Sequence, residues 1–250
     1  MPHTHPLPLL DPRRHSFFLD FDGTLTPIVD IPDDAVLSPE ASDLLSRLTE
    51  AAENRIAIVS GRSLDDLAGR VGQFGFALAG SHGLEIRGTD GERIAPDIAA
   101  LPDHVLRTAR DWAEARGLML ERKPGSFALH YRSAPDRLNE ARGFIDDLVK
   151  DIDGYRAIHG DMVSEVASAS VTKGTAIKQF CEAPPFKGTI PVMIGDDVTD
   201  EDGFAAATDL GGFGVKIGKG PTNATYRLQS TDAFLDWLAL VTGRTEQRAG

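Results

Sequence analysis

The stretch Ser16-Phe17-Phe18-Leu19-Asp20-Phe21-Asp22-Gly23-Thr24 is an apolar run that ends in two closely spaced carboxylates. The apolar part predicts a short buried strand. Asp20 and Asp22 are separated by one residue, so their side chains share one side of the extended chain. Gly23 lets the backbone turn sharply straight after the strand. The stretch therefore predicts a buried strand that places two carboxylates at its carboxyl end.

Apolar strands followed by polar or glycine residues recur along the chain, with helical segments between them. Ser38-Pro39-Glu40 predicts a helix start, with serine as the N-cap, proline at the first helical position and an acid in the first turn. Further strands are predicted at 55–59, 76–79, 191–194 and 214–217, and further helices at 63–71, 173–181, 200–207 and 231–241. This alternation predicts an α/β fold, a Rossmann-like doubly wound parallel sheet, in which ligands bind beyond the carboxyl ends of the strands.

The middle of the chain breaks this alternation. Helical patterns at 103–115 and 137–150 are followed by alternating segments at 119–131 and 155–166 that predict strand pairs, the first with Pro124-Gly125 at its turn. We therefore expect an inserted α+β cap domain. The expected divisions are a core at 16–99 and 169–243, a cap at 100–168, and flexible tails at 1–15 and 244–250.

Charge and composition exclude several classes of partner. The chain has 250 residues and a formal net charge of −12, which argues against nucleic acid and anionic membranes. No apolar run approaches the roughly 20 residues that span a bilayer, and the N-terminal segment lacks the apolar stretch of a signal peptide. We therefore expect a cytoplasmic protein, with a monomer as the default. Cys181 is the single cysteine, so an intrachain disulfide is impossible.

A second acidic group, Gly195-Asp196-Asp197-Val198-Thr199-Asp200-Glu201-Asp202, follows another apolar strand. If both strands lie centrally in one parallel sheet, these acids meet Asp20 and Asp22 at one edge. Carboxylates so close repel one another, and a hard divalent cation such as Mg²⁺ relieves the repulsion. The alternative is that each acid caps a helix or lies in a solvated turn. Two acidic groups with Ser60 and Lys173 between them favour the metal site.

These motifs resemble those of the haloacid dehalogenase-like phosphatases. The segment at Asp20 is similar to their first motif, Ser60 to the second, Lys173 to the third, and Gly195-Asp196-Asp197 with Asp200 to the fourth. All of them occur in order over most of the chain. The resemblance implies a phosphatase that forms an aspartyl phosphate.

The resemblance also implies roles for individual side chains. Asp20 is expected to attack phosphorus, and Asp22 to protonate the leaving oxygen and then to activate the hydrolytic water. Lys173 and the Ser60 hydroxyl are expected to bind phosphoryl oxygens.

Mg²⁺ is the cofactor that the resemblance implies. Its expected ligands are Asp20, the backbone carbonyl of Asp22, and Asp196. Asp197 or Asp200 is expected behind these ligands, where it would hold a metal-bound water or Lys173.

A closer resemblance is to the trehalose-6-phosphate phosphatases, over about residues 16 to 240. The motifs that carry it are Gly80-Ser81-His82-Gly83, Glu121-Arg122-Lys123, Ala128-Leu129-His130-Tyr131-Arg132, Glu165, Thr172-Lys173-Gly174, Gly195-Asp196-Asp197-Val198-Thr199-Asp200-Glu201 and Val215-Lys216-Ile217-Gly218. It implies a C2-type cap and a small-molecule disaccharide phosphate as substrate. The residues expected to bind that substrate are Gly23, Thr24, Gly61, Arg62, His82, Gly83, Glu121, Lys123 and Glu165. An alternative for Arg62 is an ion pair with Asp65.

One departure from the family leaves the exact sugar open. The family commonly has lysine after the cap glycine and a basic, proline-containing stretch before the motif lysine, where this chain has Asp161 and Ala167-Ser168-Ala169-Ser170. The first alternative is therefore a phosphatase for another sugar phosphate, of the sucrose phosphate or mannosylphosphoglycerate type. Two alternatives of other classes are a sugar-phosphate mutase and a sugar-phosphate-binding regulator without catalysis; the intact set Asp20, Asp22, Lys173 and Asp196 argues against the regulator.

Overall fold

The computed structural model describes residues 7–72, 75–94, 101–123, 125–160 and 162–246, with side chains up to residue 243. The chain divides into two compact units, one made from residues 1–95 and 173–250 and the other from residues 96–172. The expected cap at 100–168 lies inside the second unit, and the exact domain limits stay a prediction. Within the described part of the chain, none of the helices has both the length and the apolar character that crossing a membrane requires.

The described residues form strands and helices in the alternating order that the sequence predicts. The strands are β1 (His15–Leu19), β2 (Ile56–Val59), β3 (Ala77–Gly80), β4 (Glu85–Arg87), β5 (Arg93–Ile94), β6 (Met119–Lys123), β7 (Ser126–His130), β8 (Tyr155–His159), β9 (Val163–Ser168), β10 (Ile190–Gly195), β11 (Phe213–Ile217) and β12 (Tyr226–Leu228). The helices are α1 (Pro39–Ala51), α2 (Leu64–Val71), α3 (Asp103–Glu114), α4 (Leu138–Lys150), α5 (Lys173–Cys181), α6 (Asp200–Asp209) and α7 (Thr231–Glu246).

The first unit contains one sheet with the strand order β12-β11-β10-β1-β2-β3-β4-β5. The strands from β12 to β3 are parallel to their neighbours. After β1 the chain forms β2 and β3 on one side, and it later returns to form β10 on the other side of β1. Leu19 of β1 is opposite Ile194 of β10, so the residues that follow these two strands emerge side by side. This reversal of strand order is where doubly wound sheets bind their ligands.

Helices cover both faces of the sheet. Phe17 and Leu19 pack with residues of α1, α2 and α7, whereas Phe18 packs on the opposite face with residues of α5 and α6. Phe18 also stacks on Phe186 at 5.5 Å between ring centroids. Full burial of a phenylalanine side chain contributes about 1.5–3 kcal/mol. The apolar run of β1 is therefore explained by a strand that is buried on both faces.

Two features of this sheet differ from the sequence expectation. β4 and β5 are antiparallel additions next to β3, and β12 extends the other edge. These strands have only two or three residues each, too few to show a periodic pattern. The chain reverses into β4 through the turn at Ser81–Gly83.

The prediction of a flexible N-terminal tail is wrong for residues 7–15. Leu10 is buried in the core, and the indole Nε1 of Trp237 donates to the carbonyl of Pro8 at 3.1 Å. Apolar side chains within this proline-rich segment pack against the core. At the other end α7 continues to Glu246, beyond the predicted tail boundary. Residues 1–6 and 247–250 of the two tails lie outside the described residues.

The second unit is an antiparallel sheet with helices on one face. Its strand order is β6-β7-β9-β8. Phe127 and Val166 face α3 and α4, in a core where Trp112 and Phe144 stack at 4.3 Å between ring centroids. The strands and helices agree with the predicted α+β unit, whereas Pro124 of the predicted turn lies outside the described residues.

Ser38 caps α1 as the sequence predicts, and this contact gives the first testable prediction. Its side-chain oxygen accepts a hydrogen bond from the backbone N–H of Ala41 at 3.1 Å. Ser38→Ala should lower the free energy of unfolding by about 1 kcal/mol, because an N–H group at the helix start loses its partner. Denaturant unfolding followed by circular dichroism measures this change.

Ser46→Ala is the matched control, because Ser46 lies in the middle of the same helix. Its free energy of unfolding should stay within about 0.5 kcal/mol of the wild type. Equal stabilities for the two variants would show that the cap does not stabilise the helix.

Candidate active site

The centre of the site is the ammonium group of Lys173, which lies between two carboxylates. Its Nζ donates hydrogen bonds to Asp20 Oδ1 at 2.7 Å and to Asp200 Oδ1 at 2.6 Å. The side chains of Lys173, Asp20 and Asp200 are only 2%, 5% and 0% exposed. The first residues of α5 and α6 therefore meet the end of β1 in a place that is closed to bulk water.

The charges of this cluster depend on one another. Burial acts to lower the pKa of Lys173, but Asp20 and Asp200 outweigh it, so the pKa is raised and the side chain stays a cation. Burial raises the pKa of Asp20; Lys173 opposes this effect, and Asp200 adds to it. A further cation beside Asp20 would favour its ionised form, which a carboxylate nucleophile requires.

Asp196 brings a third carboxylate to the same place. Asp20, Asp196 and Asp200 each offer an oxygen atom, and these oxygens lie within 4.8 Å of one another. Oδ1 of Asp196 is buried without a hydrogen-bond partner among the described residues. Burial raises the pKa of Asp196 to about 6, and Asp200 adds to the effect. A buried carboxylate oxygen next to other carboxylates fits a hard divalent cation with oxygen ligands.

Gly23 holds the turn after β1 against Asp196. Its φ of +78° lies in the left-handed region, and a Cβ atom at this position would lie 2.2 Å from Asp196 Oδ2. The turn is closed by a hydrogen bond from the Gly23 N–H to the Thr26 carbonyl at 2.8 Å. Thr231 at the start of α7 donates from Oγ1 to the Gly23 carbonyl at 3.0 Å. The position therefore requires glycine on grounds of both backbone conformation and space.

Asp22 is held by Arg62, which follows β2. Nε and Nη2 of Arg62 donate to the two carboxylate oxygens of Asp22, each at 2.7 Å. The backbone N–H of Arg62 donates to Ser60 Oγ at 3.2 Å. The expected alternative partner of Arg62 was Asp65, but Nη1 contacts Asp66 at 2.9 Å instead. Asp66 lies one turn along the chain from Arg62, whereas the side chain of Asp65 contacts Arg93.

The turn after β3 places His82 beside Gly61. Ser81, His82 and Gly83 have φ values of +48°, +59° and +106°, so three consecutive residues occupy the left-handed region. The His82 N–H donates to the Ser60 carbonyl at 2.9 Å. A Cβ atom at Gly61 would lie 2.6 Å from His82 Cε1, so the glycine allows the two turns to pack together. Unusual backbone conformations of this kind are common at functional sites.

The first unit thus brings together most of the predicted site residues. Those that it places at the carboxyl end of the sheet are Asp20, Asp22, Gly23, Thr24, Ser60, Gly61, Arg62, His82, Gly83, Lys173, Asp196, Asp197 and Asp200. Of the two expected supporting residues, Asp200 contacts Lys173, whereas the side chain of Asp197 is exposed. The Asp197 N–H donates to Asp200 Oδ2 at 2.8 Å, which orients the Asp200 carboxylate.

The other three predicted residues share one face of the sheet in the second unit. Glu121 and Glu165 lie in register with Ala128 between them, and Lys123 is two residues beyond Glu121. Lys123 Nζ contacts Glu165 Oε1 at 2.7 Å. His130 contacts Glu121 at 2.9 Å, and this hydrogen bond lowers the pKa of Glu121. The strand alternation keeps these charged groups on the face opposite to α3 and α4.

Two residues of the site had no role assigned from the sequence: Lys216, which appears there only within a family motif, and Thr231. Lys216 is buried in β11 opposite Gly195, and its charge acts to lower the pKa of Asp196. A charged residue inside an otherwise apolar strand was the signal that identifies it. Thr231, which supports Gly23, gave no signal, because a threonine at a helix start is ordinary.

Together these groups suit the transfer of a phosphoryl group. A buried carboxylate at a strand end can act as nucleophile, and a second carboxylate two residues further on can transfer protons. A lysine and a divalent cation can stabilise the negative charge of the transferred group.

The comparisons with known proteins agree with this chemistry. The family described as Trehalose-phosphatase matches residues 18–232. The chain is 35% identical to the trehalose-6-phosphate phosphatase of Escherichia coli over 240 residues, which cover 94% of this chain and 89% of that protein.

Solved structures show the same fold. The C-terminal domain of trehalose-6-phosphate phosphatase from C. albicans matches with a TM-score of 0.83 at 25% identity, over 92% of each chain. A haloacid dehalogenase-like hydrolase from B. subtilis matches in fold, with a TM-score of 0.68 at 12% identity, over 91% of this chain and 98% of that one. The chain therefore belongs to the trehalose-phosphatase family, whose fold is that of the haloacid dehalogenase-like hydrolases.

Proposed function

We propose that this protein hydrolyses trehalose 6-phosphate to trehalose and phosphate. The observation that carries the proposal is the buried Lys173, held between Asp20 and Asp200 beside an Asp196 oxygen that has no hydrogen-bond partner in the described part of the chain. The similarity of the chain to the trehalose-6-phosphate phosphatase of Escherichia coli over 94% of its length supports the choice of substrate.

The reaction proceeds in two steps. In the first, a carboxylate oxygen of Asp20 forms a bond to phosphorus while the bond from phosphorus to the sugar oxygen breaks, and Asp22 gives a proton to that oxygen. In the second, Asp22 takes a proton from water, the water oxygen attacks phosphorus, and Asp20 leaves as a carboxylate. Lys173 and the Ser60 hydroxyl bind phosphoryl oxygens through both steps.

The divalent cation in this proposal is Mg²⁺. Asp20, the backbone carbonyl of Asp22 and Asp196 would hold it, since these ligands are oxygen atoms of the kind that Mg²⁺ prefers. When bound, Mg²⁺ offsets the negative charge of the phosphoryl group. Asp200 and its backbone partner Asp197 support the site by orienting Lys173.

The second unit selects the sugar in this proposal. Glu121, Lys123 and Glu165 present charged groups on one sheet face, and such groups bind sugar hydroxyls as donors and acceptors. The core chemistry suits any phosphomonoester, so the preference for a disaccharide must come from contacts of this kind. A cytoplasmic location and a monomeric state remain predictions.

Another sugar phosphate is the second candidate substrate. Ala167, the first residue of the stretch Ala167-Ser168-Ala169-Ser170 where the resemblance implies a basic, proline-containing segment, lies on the same sheet face as Glu165. Asp161, the other departure, lies outside the described residues. A screen of phosphate release from a panel of sugar phosphates decides between the two candidates.

Replacement of the nucleophile gives the second prediction. Asp20→Asn should abolish turnover and leave the fold intact, because the amide has nearly the shape of the carboxylate but cannot attack phosphorus. Asp22→Asn should lower kcat by about 10²- to 10⁴-fold, as expected for loss of an acid–base group. Phosphate release and circular dichroism spectra of each variant are the measurements. Near-normal activity of Asp20→Asn, after mass spectrometry has excluded deamidation, would contradict the mechanism.

Removal of the metal gives the third prediction. Excess EDTA should abolish phosphate release, and added Mg²⁺ should restore it, because the carboxylates need a cation to accept an anionic substrate. Asp196→Asn should also weaken Mg²⁺ binding to the substrate-free protein, measured by calorimetry. Asp197→Asn is the matched control, because it also removes one carboxylate charge. Asp197 is the next residue along the chain, and its side chain is exposed. Equal Mg²⁺ affinity in the two variants would exclude Asp196 as a ligand.

The charged face of the second unit gives the fourth prediction. Glu121→Ala, Lys123→Ala and Glu165→Ala should each lower kcat/KM for trehalose 6-phosphate by about 10- to 100-fold, as for a lost hydrogen bond to a charged group. Hydrolysis of p-nitrophenyl phosphate should barely change, because this substrate has no sugar. Arg122→Ala is the control, since Arg122 lies on the same strand with its side chain on the opposite face. Equal losses on both substrates would show that the charged face only supports the structure.

A further inference from the structure

Arg62 is fixed on several sides by protein groups. Besides its two hydrogen bonds to Asp22, it donates from Nη1 to Asp66 at 2.9 Å and from Nη2 to the carbonyl of Pro32 at 2.8 Å. Its guanidinium carbon lies 5.5 Å from the centre of the Phe21 ring. The side chain is only 11% exposed. The guanidinium therefore has little freedom to move.

The partners of Arg62 are anchored differently. Asp66 belongs to α2 and is also bound by Arg70, which in turn donates to the Ala35 carbonyl at 2.8 Å. Asp22 has a side chain that is 40% exposed and lies in the turn after β1. A chain of contacts thus runs from α2 through Arg62 to the more exposed carboxylate of Asp22.

We propose that Arg62 is a positioning residue that sets the orientation of the Asp22 carboxylate, and that Asp66 acts through Arg62 by fixing the guanidinium. This inference rests on the proposed function, in which Asp22 transfers the protons. A two-pronged contact between guanidinium and carboxylate fixes the plane of the carboxylate as well as its place. The proton-accepting lone pairs of Asp22 are thereby directed before substrate arrives.

The hydrogen-bond inventory favours positioning over phosphate binding. A guanidinium has five N–H donors, and the contacts of Arg62 to Asp22, Asp66 and Pro32 use four of them. One N–H group remains, so a two-pronged contact of Arg62 with a phosphate would require the loss of at least one of these contacts. In this proposal Arg62 therefore orients the acid–base group Asp22 and does not bind the substrate, whereas the sequence predicts substrate binding.

Asp66→Ala is the test, because it removes the support of Arg62 without touching Asp22. The adjacent Asp65→Ala is the matched control: both acids lie in the first turn of α2, but only Asp66 contacts Arg62. We expect Asp66→Ala to lower kcat for trehalose 6-phosphate by about 10- to 100-fold, as for a misplaced catalytic group, with KM changed by less than about twofold. Asp65→Ala should keep the wild-type kcat.

Single-turnover release of the leaving group separates positioning from general damage. The sugar oxygen needs a proton to leave, whereas p-nitrophenolate leaves without one, so Asp66→Ala should slow release of trehalose far more than release of p-nitrophenolate. Arg62→Gln should show the same selective loss, and Arg62→Lys should recover part of it. In the Asp22→Asn background, Asp66→Ala should have no further effect on leaving-group release.

The outcomes distinguish this inference from the proposed function. If the wild type hydrolyses trehalose 6-phosphate but Asp66→Ala raises only KM, or slows both leaving groups equally, Arg62 does not position Asp22. An undiminished effect of Asp66→Ala in the Asp22→Asn background leads to the same conclusion. If the wild type releases no phosphate, or Asp22→Asn retains full activity, the proposed function itself is wrong. Thermal unfolding of every variant excludes loss of fold as the cause.

Discussion

The buried ion cluster around Lys173 is the constraint on which the rest of the core depends. Removal of one partner from such a buried pair costs about 3–5 kcal/mol, because the other charge is left without compensation. Asp20 and Asp200 can both reach the ammonium group only if the end of β1 and the starts of α5 and α6 meet. The parallel pairing of β1 with β10 brings these elements together. The strand order and the ion cluster therefore require each other.

The sequence predicts the arrangement of the core because its strands are buried on both faces. Their apolar runs are short but continuous, and each ends in residues with a chemical signature, such as Asp20 after β1 and Asp196 after β10. The doubly wound topology then places both ends at one edge. The apolar strand runs and the doubly wound strand order are thus sufficient to predict that the carboxylates meet in one site. Individual side-chain contacts need not be known for this prediction.

Other contacts could not be predicted, because they depend on how elements meet in space. Arg62 has acids three and four residues further on, and only the phase of α2 decides that Asp66 and not Asp65 faces it. Thr231 reaches Gly23 across more than 200 residues of chain, a contact that no local pattern encodes. The tail prediction for Leu10 rests on the proline-rich composition of its segment, yet Leu10 is buried in the core and Trp237 donates a hydrogen bond to the carbonyl of Pro8. Side-chain direction and long-range packing are the missing information in each case.

The local charges of the site explain how an acidic protein can accept an anion. The net charge of −12 gives an overall repulsive field. Two of the cations near the strand ends are already engaged: Lys173 is shared by two carboxylates, and Arg62 contacts two more. These contacts keep both side chains ordered and protonated, but they neutralise most of the charge that a phosphate would meet. In the proposed function a divalent cation beside Asp196 would supply the missing charge, and it would then take part in substrate recognition as well as catalysis.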